Sequence, residues 1–113
     1  MGLFQQLFGG GASADLKEII GKDAFLVDVR TPGEFAGGSV PGAVNIPLDM
    51  IPSQLAKFKG KEQIIVFCKS GMRSGQAKGI LESNGFKNVV NGGTWENVKQ
   101  SRSEEHTSEL QSL

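Results

Sequence analysis

Residues 64–75 read Ile64-Ile65-Val66-Phe67-Cys68, then Lys69-Ser70-Gly71-Met72-Arg73-Ser74-Gly75. Five apolar residues in succession, with no polar alternation, suit a strand covered on both faces, as strands of parallel sheets are. The polar, glycine-containing turn that follows leads into a helical pattern, with Ala77, Ile80 and Leu81 on one face ahead of the stop signal Asn84-Gly85. Strand, tight turn, helix is the unit from which α/β sheets are built.

The same unit recurs outward from this segment. Upstream, Phe25-Leu26-Val27-Asp28-Val29 is a second buried-strand run, and Val44-Asn45-Ile46 is a short extended piece between Pro41-Gly42 and Pro47. Downstream, Val89-Val90 forms a fourth, closed by Asn91-Gly92-Gly93. Ile51, Leu55 and Phe58 recur at helical spacing ahead of Gly60, and Trp95 with Val98 marks a last short helix. Ser13 caps a helix whose Leu16, Ile19 and Ile20 share a face, ended by Gly21. The expectation is an α/β fold, an open and mainly parallel central sheet flanked by helices, in a single domain. Residues 1–11 are expected to be an amphipathic turn (Phe4, Leu7, Phe8) and a Gly9-Gly10-Gly11 linker, with the domain over 12–101.

Composition narrows the function. The 113 residues, 38% hydrophobic and 21% charged, belong to the ordinary globular class. Twelve basic and twelve acidic residues cancel, which gives no case for nucleic acid or an acidic membrane. The lysines at 57, 59 and 61 have no interleaved aromatics and read as a solvated helix end. No apolar run is long enough to span a bilayer, and the N-terminus lacks the marks of a secretory signal, so a cytoplasmic location is expected. One cysteine allows neither an internal disulfide nor a cysteine-cluster metal site.

That cysteine ends the most apolar strand. Alone, such a residue is most simply a small core hydrophobe. Its neighbours argue otherwise. The first-turn amides of a helix have no internal partner and carry the positive end of the dipole, and consecutive loop amides can form a nest of the same polarity. A thiol at the floor of that cradle is held as thiolate, with a pKa well below about 8.5. Lys69 and Arg73 add charge at the rim, and Ser70 and Ser74 supply hydroxyl donors.

Cys68-Lys69-Ser70-Gly71-Met72-Arg73-Ser74 resembles the rhodanese active-site loop, C-x-x-G-x-R-[ST], with every defined position filled. VDVRTPGEFAGGSVPGAVNIP, residues 27–47, resembles the family's D-x-R…E-F…G…P-G-A-x-N-I-P signature, and Asn91-Gly92-Gly93-Thr94-Trp95 its usual ending. Ser39 departs from the pattern, standing where many members have His. The resemblance, over about residues 13–100, implies a rhodanese-like fold and a thiosulfate-type sulfurtransferase. It implies that Cys68 carries sulfur as a persulfide, and that Lys69, Ser70, Gly71, Met72, Arg73 and Ser74 bind the substrate. The implied partners are a small anionic sulfur donor and a thiol or cyanide acceptor, with a sulfur-relay protein as a further candidate, and no metal or organic cofactor. Two alternatives share the loop: a persulfide carrier serving a partner protein, and a silent interaction module. A phosphatase is disfavoured by spacing. Four residues separate Cys68 from Arg73, where cysteine phosphatases place five to wrap a phosphoryl group.

Asp28 and Arg30 fill the D-x-R positions and are expected to support the site as an ion pair or loop brace, since an acid in an apolar strand needs a partner. Glu34 and Phe35 are expected to start and pack a short helix, and Trp95 to anchor the core or its edge. Residues 102–112, RSEEHTSELQS, resemble the in-frame translation of a sequencing adapter, so 102–113 is expected to be a non-native, disordered tail. Without that stretch's one Arg and three Glu, the charged residues stand at 11 basic against 9 acidic, a net of +2. His106 beside Glu104 and Glu105 is accordingly no metal site.

Overall fold

The computed structural model describes residues 16, 19, 20 and 23–102. The expected turn at Phe4, Leu7 and Phe8, the glycine linker, Ser13, Gly21 and the tail beyond Arg102 lie outside them. In chain order the elements are β1 (Phe25–Asp28), α1 (Pro32–Ala36), β2 (Val44–Asn45), 3-10 segments at Leu48–Ser53 and Leu55–Phe58, β3 (Ile64–Cys68), α2 (Met72–Ser83), β4 (Val89–Thr94) and a helix α3 over 95–102. Among the described residues the strands form one four-stranded sheet in the order β2-β1-β3-β4, and every pairing is parallel.

The uninterrupted apolar character of β3 follows from its central place. Ile64, Val66 and Cys68 point into a core shared with Val27, Ile51, Phe58, Ala77 and Leu81, on the side covered by α2 and the 3-10 segments. Ile65 and Phe67 point the other way, into a core with Leu16, Ile20, Leu26, Val40 and Val98. Strand side chains alternate faces, so a strand buried on both must be apolar throughout.

Two local readings are corrected. The helix expected around Ile51, Leu55 and Phe58 is instead a pair of 3-10 segments. Pro52 lies inside the first, and its ring nitrogen cannot donate a helical hydrogen bond. Ile51 and Phe58 are buried all the same, so the apolar spacing reported burial correctly and helix type wrongly. The fourth strand does not stop at Val90. It runs through Asn91-Gly92-Gly93 to Thr94, because its register slips by one residue: Val66 pairs with Asn91, and Phe67 with Gly93. Gly92 is the extra residue of this bulge. A Cβ there would lie 2.7 Å from Val98 Cγ2 and 3.0 Å from Ile65 Cγ2, so only glycine fits.

Parallel strands place all their C-terminal ends together. The connection from β1 leaves toward β2 and that from β3 leaves toward β4, so the C-terminal ends of β1 and β3 mark a topological switch point, the usual ligand position in open α/β sheets.

Candidate active site

Cys68 is the last residue of β3 and α2 begins at Met72, so three residues make the turn. Gly71, at φ 97°, is the N-cap of α2. This left-handed conformation is the one glycine adopts without strain. It aims the Gly71 amide back at the sulfur: Gly71 N–H donates to Cys68 Sγ at 3.0 Å. Ser74 N–H, in the first turn of α2, donates to the same sulfur at 3.4 Å, and Ser74 Oγ lies 3.5 Å from it.

Cys68 is 0% exposed, yet its sulfur faces the loop and not the core alone. Burial pushes the thiol pKa up. The Ser74 hydroxyl and the amides of Ser74, Gly71 and Ser70 pull it down, and their sum prevails, leaving it below its ordinary value. Dipoles fixed around the sulfur favour its charged form.

The structure distributes the other loop residues unevenly. Lys69 and Ser70 are exposed, and the Met72 side chain is 76% exposed, so Met72 offers the turn its backbone only. Ser74 is buried. Arg73 does not stand open at the rim. Its NH1 and NH2 donate to the two carboxylate oxygens of Glu34 at 2.9 and 3.2 Å, a bidentate ion pair tying α2 to α1. Glu34 is bound from its other side too, by a capping box with Thr31: Thr31 N–H donates to Oε1 at 3.0 Å, and Glu34 N–H donates to Thr31 Oγ1. The hydrogen bond from Arg73, followed by that from the Thr31 amide, lowers the Glu34 pKa to about 2.

Asp28 and Arg30 meet as a buried pair at the end of β1. Arg30 Nε and NH2 donate to the Asp28 carboxylate at 2.7–3.0 Å, and NH2 also donates to Gly38 O at 2.6 Å. Ser39 Oγ donates to Asp28 Oδ2 at 2.6 Å, so the residue at the divergent position completes the carboxylate's shell. The Trp95 ring covers the guanidinium, 4.9 Å from its centre. The pair ties Gly38 and the backbone of Arg30 to the end of β1.

Two contributors escaped the sequence reading. Sequence places Glu34 in helix initiation, and nothing local signals its reach to Arg73, 39 residues away. From sequence, Asn91 reads only as a strand-closing residue. The bulge at Gly92 turns its carboxamide toward the loop, where Oδ1 accepts from Ser74 Oγ at 2.7 Å and from Gly93 N–H at 2.9 Å. Among the described residues no group of His, Cys, Asp and Glu could hold a metal ion, and no helix is long and apolar enough to cross a membrane.

The family model for the rhodanese-like domain matches residues 12–100. A sulfurtransferase of Allochromatium vinosum is 37% identical over 70 residues, covering 62% of this chain and 65% of the relative. The thiosulfate sulfurtransferase PspE of Escherichia coli is 38% identical over 69 residues, covering 59% of this chain and 66% of the relative. The chain thus spans slightly under two thirds of each of these relatives. A solved structure described as rhodanese with anions, from E. coli, superposes with a TM-score of 0.61 at 34% identity, covering 66% of this chain and 89% of that one.

Proposed function

The chain belongs to the rhodanese-like domain family, and from that premise we propose that it moves sulfane sulfur from thiosulfate or a similar anionic donor to a thiophilic acceptor, through a persulfide on Cys68. Sulfur transfer in general is what the family and the sulfurtransferase relatives support. The observation that carries the finer reading is the aim of the Gly71 and Ser74 amides at Cys68 Sγ, 3.0 and 3.4 Å away.

In the first half-reaction the Cys68 thiolate attacks the outer sulfur of thiosulfate. A new S–S bond forms, the donor's S–S bond breaks, and its electron pair leaves on sulfite. The outer sulfur of the persulfide is then the negative atom. The turn between Cys68 and α2, with the helix dipole behind it, favours that charge as an oxyanion hole favours oxygen. In the second half-reaction an acceptor, cyanide in an assay or a thiolate in the cell, attacks the outer sulfur and returns Cys68 as thiolate. Neither step needs an external oxidant or reductant. The division predicts ping-pong kinetics.

With Glu34 neutralising much of its charge, Arg73 acts on a donor chiefly by holding the loop's shape, and Lys69 is the exposed cation left to attract an anion. A cytoplasmic location is part of this reading, since a lone thiol in a reducing compartment stays available for sulfur. Intact mass measurement after thiosulfate treatment tests it. The expected result is a gain of one sulfur mass that cyanide removes and Cys68→Ala prevents. No gain, or a gain unaffected by Cys68→Ala, overturns the proposal.

A further inference from the structure

The Ser74 hydroxyl has one hydrogen and three acceptors within reach. Asn91 Oδ1 is at 2.7 Å, Gly71 O at 3.1 Å and Cys68 Sγ at 3.5 Å. It cannot serve all of them, and the shortest contact is to the carboxamide. Asn91 is held for that purpose from both ends: Gly93 N–H donates to its Oδ1, and its Nδ2 donates to Gly71 O at 3.3 Å. We propose that Asn91 is a positioning residue that competes with Cys68 for the hydroxyl hydrogen of Ser74, and so sets how readily the sulfur carries charge.

The competition works as follows. With Cys68 as a neutral thiol, Ser74 donates to Asn91, and the thiol can donate to Ser74 Oγ. When the proton leaves, the sulfur becomes the stronger acceptor, because bonds to ionised groups are about twice as strong as neutral ones. Ser74 then turns its hydrogen to sulfur and gives up Asn91. The thiolate gains one donor and loses one neutral hydrogen bond elsewhere, so Asn91 restrains a sulfur that the amides alone would ionise further. When a persulfide forms, the charge moves to the outer sulfur, and the hydroxyl can return to Asn91. The charged groups around the cradle are Lys69 on the turn, Arg73 on α2 with Glu34 of α1, and the Asp28–Arg30 pair after β1. None contacts the Asn91 carboxamide, so substitutions at 91 leave their placement intact.

This inference rests on the reading of Cys68 as a thiolate nucleophile, and it makes a prediction of unusual sign. Removing Asn91 should make Cys68 more acidic, whereas a residue that merely held the loop in place would make it less acidic when lost. The test is the pH dependence of iodoacetamide alkylation of Cys68 in the full chain. Asn91→Ala is expected to shift the profile down by about half to one pH unit, the equivalent of one neutral hydrogen bond. Asn91→Asp, which keeps the acceptor and adds negative charge, should shift it up, as should Ser74→Ala. In a Ser74→Ala background Asn91→Ala should have no further effect. If Asn91→Ala does not fold, Asn91→Ser, whose side chain is too short to reach Ser74, reads the same quantity. An unmoved or upward-shifted profile for the truncation, or an equal shift persisting without Ser74, overturns the inference. Alkylation involves no sulfur donor. The expected pH order without any sulfur uptake from thiosulfate would therefore reject the sulfurtransferase reading and leave this one standing.

Discussion

Replacing Gly92 by alanine tests whether the bulge in β4 exists because nothing but a hydrogen fits. The added methyl would lie 2.7 Å from Val98 Cγ2 and 3.0 Å from Ile65 Cγ2, with Val66 O at 3.5 Å on a third side. Carbon atoms rest at about 3.5–4.0 Å, so the first contact overlaps by close to 1 Å and the second by about half that. Neither neighbour can swing away. Ile65 is 0% exposed in the central strand, and Val98 is 0% exposed on a helix, where a β-branched side chain has essentially one rotamer. Relief must come from moving α3 off the sheet, which places the substitution among overpacking changes costing about 1–3 kcal/mol. For a domain near this size that is a fall in Tm of roughly 5–20 °C. Urea and thermal denaturation of wild type, Gly92→Ala, Val98→Ala and the double variant measure it. Trimming Val98 removes the closest atom, so the two changes together should cost less than their sum by at least about 0.5 kcal/mol. A Gly92→Ala protein within about 0.5 kcal/mol of wild type, or strictly additive costs, would refute the packing argument.

The remaining expectations are shorter. Cys68→Ser should abolish sulfur transfer with thiosulfate and cyanide while unfolding within about 1.5 kcal/mol of wild type, since a hydroxyl there still accepts from the Gly71 and Ser74 amides. Arg30→Ala leaves the fully buried Asp28 carboxylate without its guanidinium and should cost about 3–5 kcal/mol by urea denaturation. Glu34→Gln tests the clasp on α2. A carboxylate lowered to about 2 stabilises the fold above its ordinary 4.5, and loses that effect as pH falls between the two values. Melting temperatures of wild type and Glu34→Gln should therefore differ near neutrality and converge from pH 4.5 down to 2.

Much of the fold was legible because burial writes itself into β3 as an unbroken apolar run and into β1 as one interrupted only by Asp28, and because Asn84-Gly85 closes α2 where expected: Gly85, at φ 94°, is left-handed there. The cysteine turn was legible for a similar reason, since strand, glycine and helix start are consecutive in sequence. What was not legible depends on register and distance. Nothing local announces that Gly92 is a bulge, because its neighbours Val98 and Ile65 become neighbours only after α3 and β3 have packed. Asn91 acquires its role from that slip of one residue, and Glu34 meets Arg73 only across two crossovers. Composition likewise marked Arg73 as a cation without revealing that a carboxylate already engages it.

The two outer strands of the sheet are poor templates for a passing chain. β2 is two residues long, and β4 is bent by its bulge, with Gly93 left-handed at φ 84° within it. A continuous row of unsatisfied amides is what recruits foreign strands, and among the described residues neither border offers a long, flat one. The apolar strand β3 lies inside the sheet, paired with β1 on one side and the bent β4 on the other, so it meets no passing chain directly. The irregularity that brings the Asn91 carboxamide to Ser74 Oγ thus also blunts a border of the sheet, so straightening β4 is expected to promote edge-to-edge association as well as to break that hydrogen bond.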